Sequence, residues 1–238
     1  MSDPLIELLE SLPRRQVLPI DPDRENRVLF DFSKNSHRMR RVDTSDVEDF
    51  GRYIRDSLQK ADSRIGLGGY GENRGIYRHS GLFAGAKARS LHLGLDLWVA
   101  AGTPVFAAFA GRVHSLKNNE GVGDYGPTVI LEHRIAELRF YTLYGHLGLS
   151  CLESLAPGEA VGTGERIGEV GSSRVNGSWP PHLHFQVIRD LQGRTGDFPG
   201  VCAPEEAATY LYLCPDPNLI LKLRVLDASY DTNEDWMK

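Results

Sequence analysis

His92 and Asp96 stand four residues apart in the segment HLGLD. An imidazole nitrogen and a carboxylate oxygen are ligands that suit Zn²⁺. Gly94 between them would let the backbone bend so that both side chains face one point. The same spacing also arises by chance, as a surface histidine followed by a turn aspartate. The pair therefore indicates a metal site only together with ligands from elsewhere.

Two further histidines, His182 and His184, alternate in the segment PPHLHFQVI. In a β-strand, residues i and i+2 point to the same face and lie about 7 Å apart. That separation is too wide for both imidazoles to bind one ion without strain. The spacing fits one metal ligand beside a second histidine that transfers protons. The alternative is a pair of ordinary histidines on a polar face.

A third segment, TLYGHL at 142–147, follows a strand pattern. Its polar face is predicted to carry Thr142, Tyr144 and His146. By itself, His146 is more typical of a structural histidine than of a catalytic one. It becomes informative because the other two segments precede and follow it in the chain.

Together, the three segments resemble the motifs of the lysostaphin-type zinc metallopeptidases, whose pattern is H-x-x-x-D, then T-x-Y-x-H-L, then H-L-H-F. The segments occur in that order, and the resemblance covers about residues 88–190. It implies a mainly β fold, an antiparallel sheet of the barrel-sandwich hybrid type with a cleft. It also implies three zinc ligands and two catalytic histidines that do not bind the metal: His92, Asp96 and His184 as ligands, and His146 and His182 as the other two.

The chain departs from the family pattern near the last motif. Gln186 stands where the family often has glutamate, and by strand alternation it shares a face with His184 and could hydrogen-bond that ligand. The loop SSRVNGSWPP at 172–181 replaces a run of small residues. Five positions are candidates for supporting the ligands or contacting the substrate: Gln186, Tyr144, Arg174, Asn176 and Tyr77.

The resemblance implies a Zn²⁺-dependent peptidase that hydrolyses an amide bond in a peptide or peptidoglycan-like substrate. Three protein ligands would leave the fourth zinc position open for water, whose pKa falls from about 15.7 toward about 7. His146 and His182 would serve as general acid and base, in an order that the sequence leaves open.

Two other functions fit parts of the pattern. One is a non-catalytic metal-binding or partner-activating module on the same fold, but ligand loss would mark such a module, and all five key residues are present. The other is a phosphocarrier or a biotinyl or lipoyl carrier on a similar sandwich. A biotinyl or lipoyl carrier needs a lysine at a hairpin tip, and between 90 and 190 only Lys117 occurs, in an asparagine-rich loop. A phosphocarrier has no use for Asp96 beside His92.

Short runs of β-branched and aromatic residues, separated by glycine turns, fill the stretch from about 90 to 190. This pattern is typical of an antiparallel sheet, a sandwich or a barrel-like fold. Ser45 and Glu48 are spaced as a capping box ahead of an apolar helical repeat. Three helices and one loop are predicted: helices over about 45–60, 3–12 and 204–213, and a glycine-rich loop over 61–82.

The 238 residues suffice for one sizeable domain with an appended arm. The predicted division is a helical arm over 1–61, a peptidase domain over 62–225 and a tail over 226–238. The net charge of −5 argues against nucleic acid or an anionic membrane as a partner. The oligomeric state is not indicated by the sequence.

A cytoplasmic location is expected from three features of the sequence. The first residues, MSDPLIELLESLPRRQ, lack the positive start and unbroken apolar stretch of a secretory signal. No apolar run approaches the 18 residues of a membrane-spanning helix. The three cysteines include no C-x-x-C pair, which favours a reducing compartment.

Overall fold

The computed structural model describes residues 3–79 and 88–230. Its helices are α1 Pro4–Ser11, α2 Val47–Lys60, α3 Ser150–Ser154, α4 Ala207–Leu213, α5 Asn218–Leu221 and α6 Arg224–Tyr230, with 3-10 turns at Met39–Arg41, Ile76–His79 and Pro204–Glu206. The helices predicted over 3–12 and 204–213 are thereby confirmed. Within the described parts of the chain, no helix has the length and apolar character needed to cross a bilayer.

The strands are β1 Arg27–Phe30, β2 Ile65–Gly68, β3 Leu91–His92, β4 Leu95–Trp98, β5 Pro104–Phe106, β6 Gly111–Asn119, β7 Gly126–Ile135, β8 Leu138–Gly145, β9 Ala160–Val161, β10 Arg166–Glu169, β11 His182–Ile188 and β12 Val201–Cys202. Eight of them form one sheet in the order β1-β2-β4-β11-β8-β7-β6-β9. The β1–β2 pair is parallel and the other neighbours are antiparallel. Two small sheets pair β10 with β5 and β12 with β3. The mainly β prediction is confirmed, and the described strands form an open mixed sheet rather than a closed barrel.

Strand β11 divides the hydrophobic core from a polar face of the sheet. Leu183, Phe185 and Val187 belong to the largest cluster of buried apolar side chains. Because successive side chains alternate across a strand, His182 and His184 emerge on the opposite face. Fully burying one such apolar side chain contributes about 1.5–3 kcal/mol. The apolar face therefore anchors the strand that carries the two histidines.

The N-terminal part of the chain packs onto this sheet. Leu5 and Leu9 of α1 enter the same core cluster. Strand β1 extends the sheet beyond β2, and Phe50 of α2 lies in an aromatic cluster with Trp98 and Trp179. The domain boundary predicted near residue 61 stays a prediction, because contacts of this kind occur within one domain and between two.

Two local predictions need correction. Helix α2 begins at Val47, and its N-cap is Asp46, whose carboxylate accepts from the backbone amides of Glu48 and Asp49. The capping box led by Ser45 is therefore wrong, because the Ser45 hydroxyl instead donates to the carboxylate of Asp43.

The stretch 61–82 is also not all loop, because strand β2 lies inside it, hydrogen-bonded to β1 on one side and β4 on the other. A Cβ on Gly66 would lie 2.2 Å from the ring of Phe30. Glycine at this position therefore permits close packing within a sheet and does not mark a turn.

Candidate metal centre

Adjacent strands β4 and β11 place two of the predicted ligands side by side. Their antiparallel register pairs Asp96 with His184, and directly opposed residues share one face of a sheet. The Nδ1 atom of His184 lies 3.0 Å from Oδ1 of Asp96. Each of the two residues is only 3% exposed. The strand register therefore places two of the three candidate ligands next to each other.

His92 completes the arrangement from the short strand β3. Its Nε2 lies 3.0 Å from Nδ1 of His184 and 3.2 Å from Oδ1 of Asp96. Its Nδ1 lies 2.9 Å from the carbonyl oxygen of Gly69. Because a carbonyl only accepts, Nδ1 carries the proton and Nε2 offers its lone pair. The structure thus brings together three atoms able to bind one metal ion.

These three atoms suit zinc in both spacing and chemistry. With zinc–ligand bonds of about 2.0–2.1 Å, two ligands of a tetrahedral ion lie about 3.3 Å apart. The triangle has sides of 3.0, 3.0 and 3.2 Å. Mg²⁺ and Ca²⁺ prefer oxygen ligands, whereas two imidazoles and a carboxylate are typical of zinc. Three protein ligands are also the number found at catalytic zinc sites.

Gln186 sets the tautomer of His184. Its amide nitrogen donates to the carbonyl of Pro199 at 3.1 Å and to the sulfur of Cys214 at 3.2 Å. The amide oxygen therefore faces His184, whose Nε2 lies 2.8 Å away and must carry the proton. Nδ1 is left with its lone pair toward Asp96. The hydrogen bond predicted from strand alternation is present, and such support of metal-binding histidines is common.

Gly94 allows His184 to approach, which is a different role from the one predicted. Its φ lies outside the left-handed region, so the conformation does not require glycine. A Cβ there would lie 2.6 Å from Cε1 of His184 and 2.8 Å from the carbonyl oxygen of Phe185. The glycine in HLGLD is thus needed for space rather than for a bend.

His182 lies next to the triangle without belonging to it. Its Nε2 is 3.9 Å from Oδ1 of Asp96. Its Nδ1 donates to the carbonyl of Pro180 at 2.8 Å, and its ring stacks on Trp98 with centroids 4.1 Å apart. The stacked ring is held in place, and Nε2 keeps a lone pair that can take a proton.

His146 reaches the same place from the end of β8. It has a left-handed backbone conformation with φ 63°, which is uncommon for residues other than glycine and costs of order 1 kcal/mol or more. Its Nδ1 donates to the carbonyl of Asn176 at 2.8 Å. Its ring centroid lies 4.2 Å from that of His182. The two histidines form an adjacent pair, each with its Nδ1 proton held by a backbone carbonyl.

Tyr144, by contrast, points away from the site. Its hydroxyl accepts from the backbone amide of Ala108 at 2.9 Å, and its cross-strand partner is Phe185 in the core. The prediction that Thr142, Tyr144 and His146 share one polar face is wrong. The left-handed turn at His146 directs that imidazole toward the cleft, whereas the two preceding side chains stay in the core.

The other candidate residues differ in where they lie. Arg174 is exposed and is not among the residues that line the cleft. Asn176 is buried; its carbonyl holds His146, and its side-chain oxygen accepts from the amide of Trp179 at 3.1 Å. Tyr77 lines the cleft. Asn176 therefore supports the site from behind, and Tyr77 faces it.

A cavity of ≈ 230 Å³ lies over the triangle of candidate ligand atoms. Aromatic side chains form much of its wall, and charged side chains of both signs also line it: Tyr77, Trp98, Tyr125, Trp179 and Phe198, with Arg89, Asp124, Arg194 and Asp197. The Tyr125 hydroxyl lies 3.4 Å from Nε2 of His184. The candidate ligands thus stand at the bottom of a cleft of the kind that binds small ligands or short chain segments.

Burial sets the charge of these groups. It lowers the pKa of His92 and of His182 to about 4 and holds the pKa of His146 well below its usual range. These imidazoles are neutral at pH 7. Burial opposes ionisation of Asp96, but the ion pair with the Arg74 guanidinium holds the pKa of its carboxyl well below the ordinary value. Neutral imidazoles beside an ionised carboxylate are the state that metal binding requires.

Sequence reasoning missed a buried ion pair behind the ligands. Arg74 is 1% exposed and donates to Oδ2 of Asp96 at 2.5 Å and to Glu72 at 2.8 Å. In the sequence, Glu72 and Arg74 resemble surface charges in a glycine-rich loop. They lie more than twenty residues before Asp96 and outside the recognised motifs, so no spacing signal connects them to the site.

Comparison with known proteins relates the part of the chain that carries these residues to a family of peptidases. Residues 90–196 match the sequence model of peptidase family M23. A protein of Haemophilus influenzae described as an uncharacterized metalloprotease is 35% identical over 95 residues, which are 40% of this chain and 18% of that protein. The chain thus matches only about a fifth of that relative's length.

Among solved structures, a zinc-containing peptidase from Vibrio cholerae is 27% identical, with a TM-score of 0.34 over 44% of this chain and 29% of the other. The catalytic domain of the antimicrobial peptidase lysostaphin from Staphylococcus simulans is 25% identical, with a TM-score of 0.33 over 50% of this chain and 80% of the other. The predicted resemblance to the lysostaphin-type peptidases is confirmed, because residues 90–196 match the sequence model of peptidase family M23.

Proposed function

We propose that this chain is a zinc-dependent metallopeptidase that hydrolyses a peptide amide bond. The observation that carries the proposal is the triangle of one carboxylate and two imidazoles, buried at the bottom of a cleft beside two further imidazoles. His92, Asp96 and His184 would hold the ion. The metalloprotease and zinc-peptidase descriptions of two relatives agree with this assignment.

The bound zinc would supply a water of lowered pKa, about 7, and would polarise the carbonyl under attack. The residues of the chain prepare the site for it. The Gly69 carbonyl and the Gln186 amide fix which nitrogen of each ligand histidine carries a proton. No tautomer change is then needed before the ion binds.

His146 and His182 would move the protons. As a neutral imidazole takes a proton at Nε2, the hydrogen bond from its Nδ1 to a backbone carbonyl becomes charge-assisted and stabilises the cation. The two rings lie only 4.2 Å apart, so both cannot be charged at once without strong repulsion. We therefore assign one proton to the pair, taken up from water and delivered to the leaving amine.

The residues that line the cleft support a peptide as the substrate. The aromatic wall of the cleft offers apolar contact, while Arg194 and Asp197 near the rim can meet charged groups of either sign. A peptide from peptidoglycan is one member of this class of substrate.

The proposal is tested by metal analysis combined with hydrolysis assays. Purified chain should bind one zinc per molecule, and His184→Ala should lose it, whereas His37→Ala, at an exposed histidine, should retain it. Zinc-loaded chain should cleave at least one member of a panel of peptides and muropeptides. Absence of stoichiometric zinc in the wild type would refute the proposal. Zinc without turnover across the panel would favour a non-catalytic metal-binding module.

A further inference from the structure

We infer that Arg74 is a positioning residue for the metal-binding carboxylate: it occupies Oδ2 of Asp96 so that Oδ1 alone is presented to the ion. The inference rests on the proposed zinc binding and extends it to a residue outside the family motifs. Arg74 donates to Oδ2 of Asp96 and not to Oδ1. It acts through Asp96.

The guanidinium group is held from several sides. Nη1 donates to Asp96 at 2.5 Å and to the Tyr77 hydroxyl at 3.0 Å. Nε donates to Glu72 at 2.8 Å, and Nη2 donates to the carbonyl of Gly69 at 3.3 Å. Because arginine is planar with fixed donors, these bonds hold the Asp96 carboxylate in one orientation.

The Gly69 carbonyl connects Arg74 to a second ligand. The same oxygen accepts from Nδ1 of His92 at 2.9 Å. Arg74 therefore acts on the orientation of two of the three candidate ligands. It donates directly to Asp96, and it shares the Gly69 carbonyl with His92. Its removal would loosen both.

Glu72 keeps the arginine in place. Its side chain is 3% exposed, and its two oxygens accept from Arg74 Nε and from the backbone amide of Phe32 at 2.8 Å. The Arg74 guanidinium also lies over the Phe32 ring, 5.4 Å from its centroid. A buried arginine between two carboxylates costs desolvation that only well-formed hydrogen bonds offset. Such a network is suited to holding the Arg74 guanidinium in one orientation toward Asp96.

The charge of Arg74 and its role in orienting Asp96 predict opposite effects on zinc binding when Arg74 is removed. A positive group next to a cation site repels the ion, so its loss would strengthen zinc binding if charge alone mattered. If Arg74 instead positions Asp96, its loss would weaken zinc binding. Loss of a partner that orients a metal ligand typically weakens binding by about 10–100-fold.

The experiment compares zinc affinities of wild type, Arg74→Met and Arg74→Lys by competition with a chromophoric chelator, together with visible spectra of the cobalt-substituted forms. We expect about 10–100-fold weaker binding in both variants and an altered cobalt spectrum, because lysine restores the charge but not the planar set of donors. Arg64→Met, at an exposed ion pair with Glu25, is the matched control and should match wild type.

Unchanged or tighter zinc binding by Arg74→Met would overturn the inference while leaving the proposed function intact. A wild type that binds no zinc would overturn both. Thermal unfolding in EDTA shows whether the metal-free variants are folded. If Arg74→Met does not fold, Arg74→Lys and Glu72→Gln decide the question, with weaker zinc binding expected for each and wild-type affinity contradicting the inference.

Discussion

The sheet carries buried histidines on both faces, and those on one face line the cleft. His133, on the core side, is fully buried, and burial lowers its pKa to about 4, as it does for His182 on the other side. The ring nitrogens of His133 meet the carbonyl of Ala110 at 3.0 Å and the hydroxyl of Thr142 at 2.7 Å. Neither burial nor a low pKa therefore distinguishes a metal site from a structural histidine.

The candidate metal site differs from a structural histidine because several lone pairs converge on one point. On the core side, each nitrogen of His133 has its own protein partner. On the cleft side, Nε2 of His92, Nδ1 of His184 and Oδ1 of Asp96 lie within 3.2 Å of one another. Three acceptors that crowd together repel one another unless protons or a cation lie between them. The comparison predicts that changes on the two faces have separable effects on turnover, metal binding and stability.

The largest effect is expected from the histidine pair on the cleft side. His146→Ala and His182→Ala should each lower kcat by about 10²–10⁴-fold, because a proton-transfer group is lost, while zinc stays bound. The measurement is kcat together with metal content. His133→Asn, on the core face, is the control and should keep wild-type kcat per folded molecule. Loss of zinc along with activity would show that the two histidines are ligands.

Acid pH should destabilise the core-side histidine. His133 has a pKa of about 4 in the folded state and about 6.5 in the unfolded chain. Between these values the unfolded state binds more protons, so the free energy of unfolding falls as pH drops from about 6.5 to about 4, by about 3 kcal/mol in total from this group.

Urea unfolding in EDTA at pH 7 and pH 4.5 measures this effect. The difference in unfolding free energy between the two pH values should be smaller for His133→Asn than for wild type by about 2.4 kcal/mol. Other buried histidines contribute equally to both proteins. Equal pH dependence in the two would contradict a neutral, buried His133.

Gly94→Ala should disturb the metal site through steric overlap alone. Its new Cβ would lie 2.6 Å from the His184 ring, so the imidazole must shift from its present position. Zinc affinity should fall by about 10–100-fold, and overpacking should cost about 1–3 kcal/mol of stability. Gly51→Ala in α2, where only the tip of Arg55 is close, is the matched control for chelator competition. Wild-type affinity in Gly94→Ala would refute the steric account.

The smallest effect is expected from Tyr144→Phe on the core face. The Ala108 amide would lose its acceptor, at a cost of about 1 kcal/mol of unfolding free energy. Zinc affinity and kcat should stay at wild-type values. A drop in kcat would indicate that Tyr144 acts in the cleft, which would contradict the observed strand register.

Motif spacing could predict much of this site because strand geometry is regular. Alternation in HLHFQVI places His182, His184 and Gln186 on one face, and the register with β4 brings Asp96 beside His184. The position of His92 followed from the resemblance to a family rather than from periodicity. Strand β3, which carries it, lies outside the main sheet, and no local pattern shows that it would fold back to the ligands.

What the sequence could not show depends on non-local contacts and single backbone angles. The left-handed conformation at His146 reverses the side that its imidazole faces, and it occurs at a residue other than glycine. The glycines of strand β2 led to the prediction of a loop, whereas in the structure they allow close packing. Arg74 and Glu72 are buried only because Asp96 and Phe32 meet them from distant parts of the chain. Such partners are visible only in three dimensions.

The central claim is that two imidazoles and one carboxylate hold a single zinc ion, and X-ray absorption spectroscopy of the zinc-loaded chain tests it most directly. The account predicts a four-coordinate shell of nitrogen and oxygen at about 2.0–2.1 Å, with scattering from two imidazoles. A shell containing sulfur, or a shell without scattering from two imidazoles, would contradict the claim.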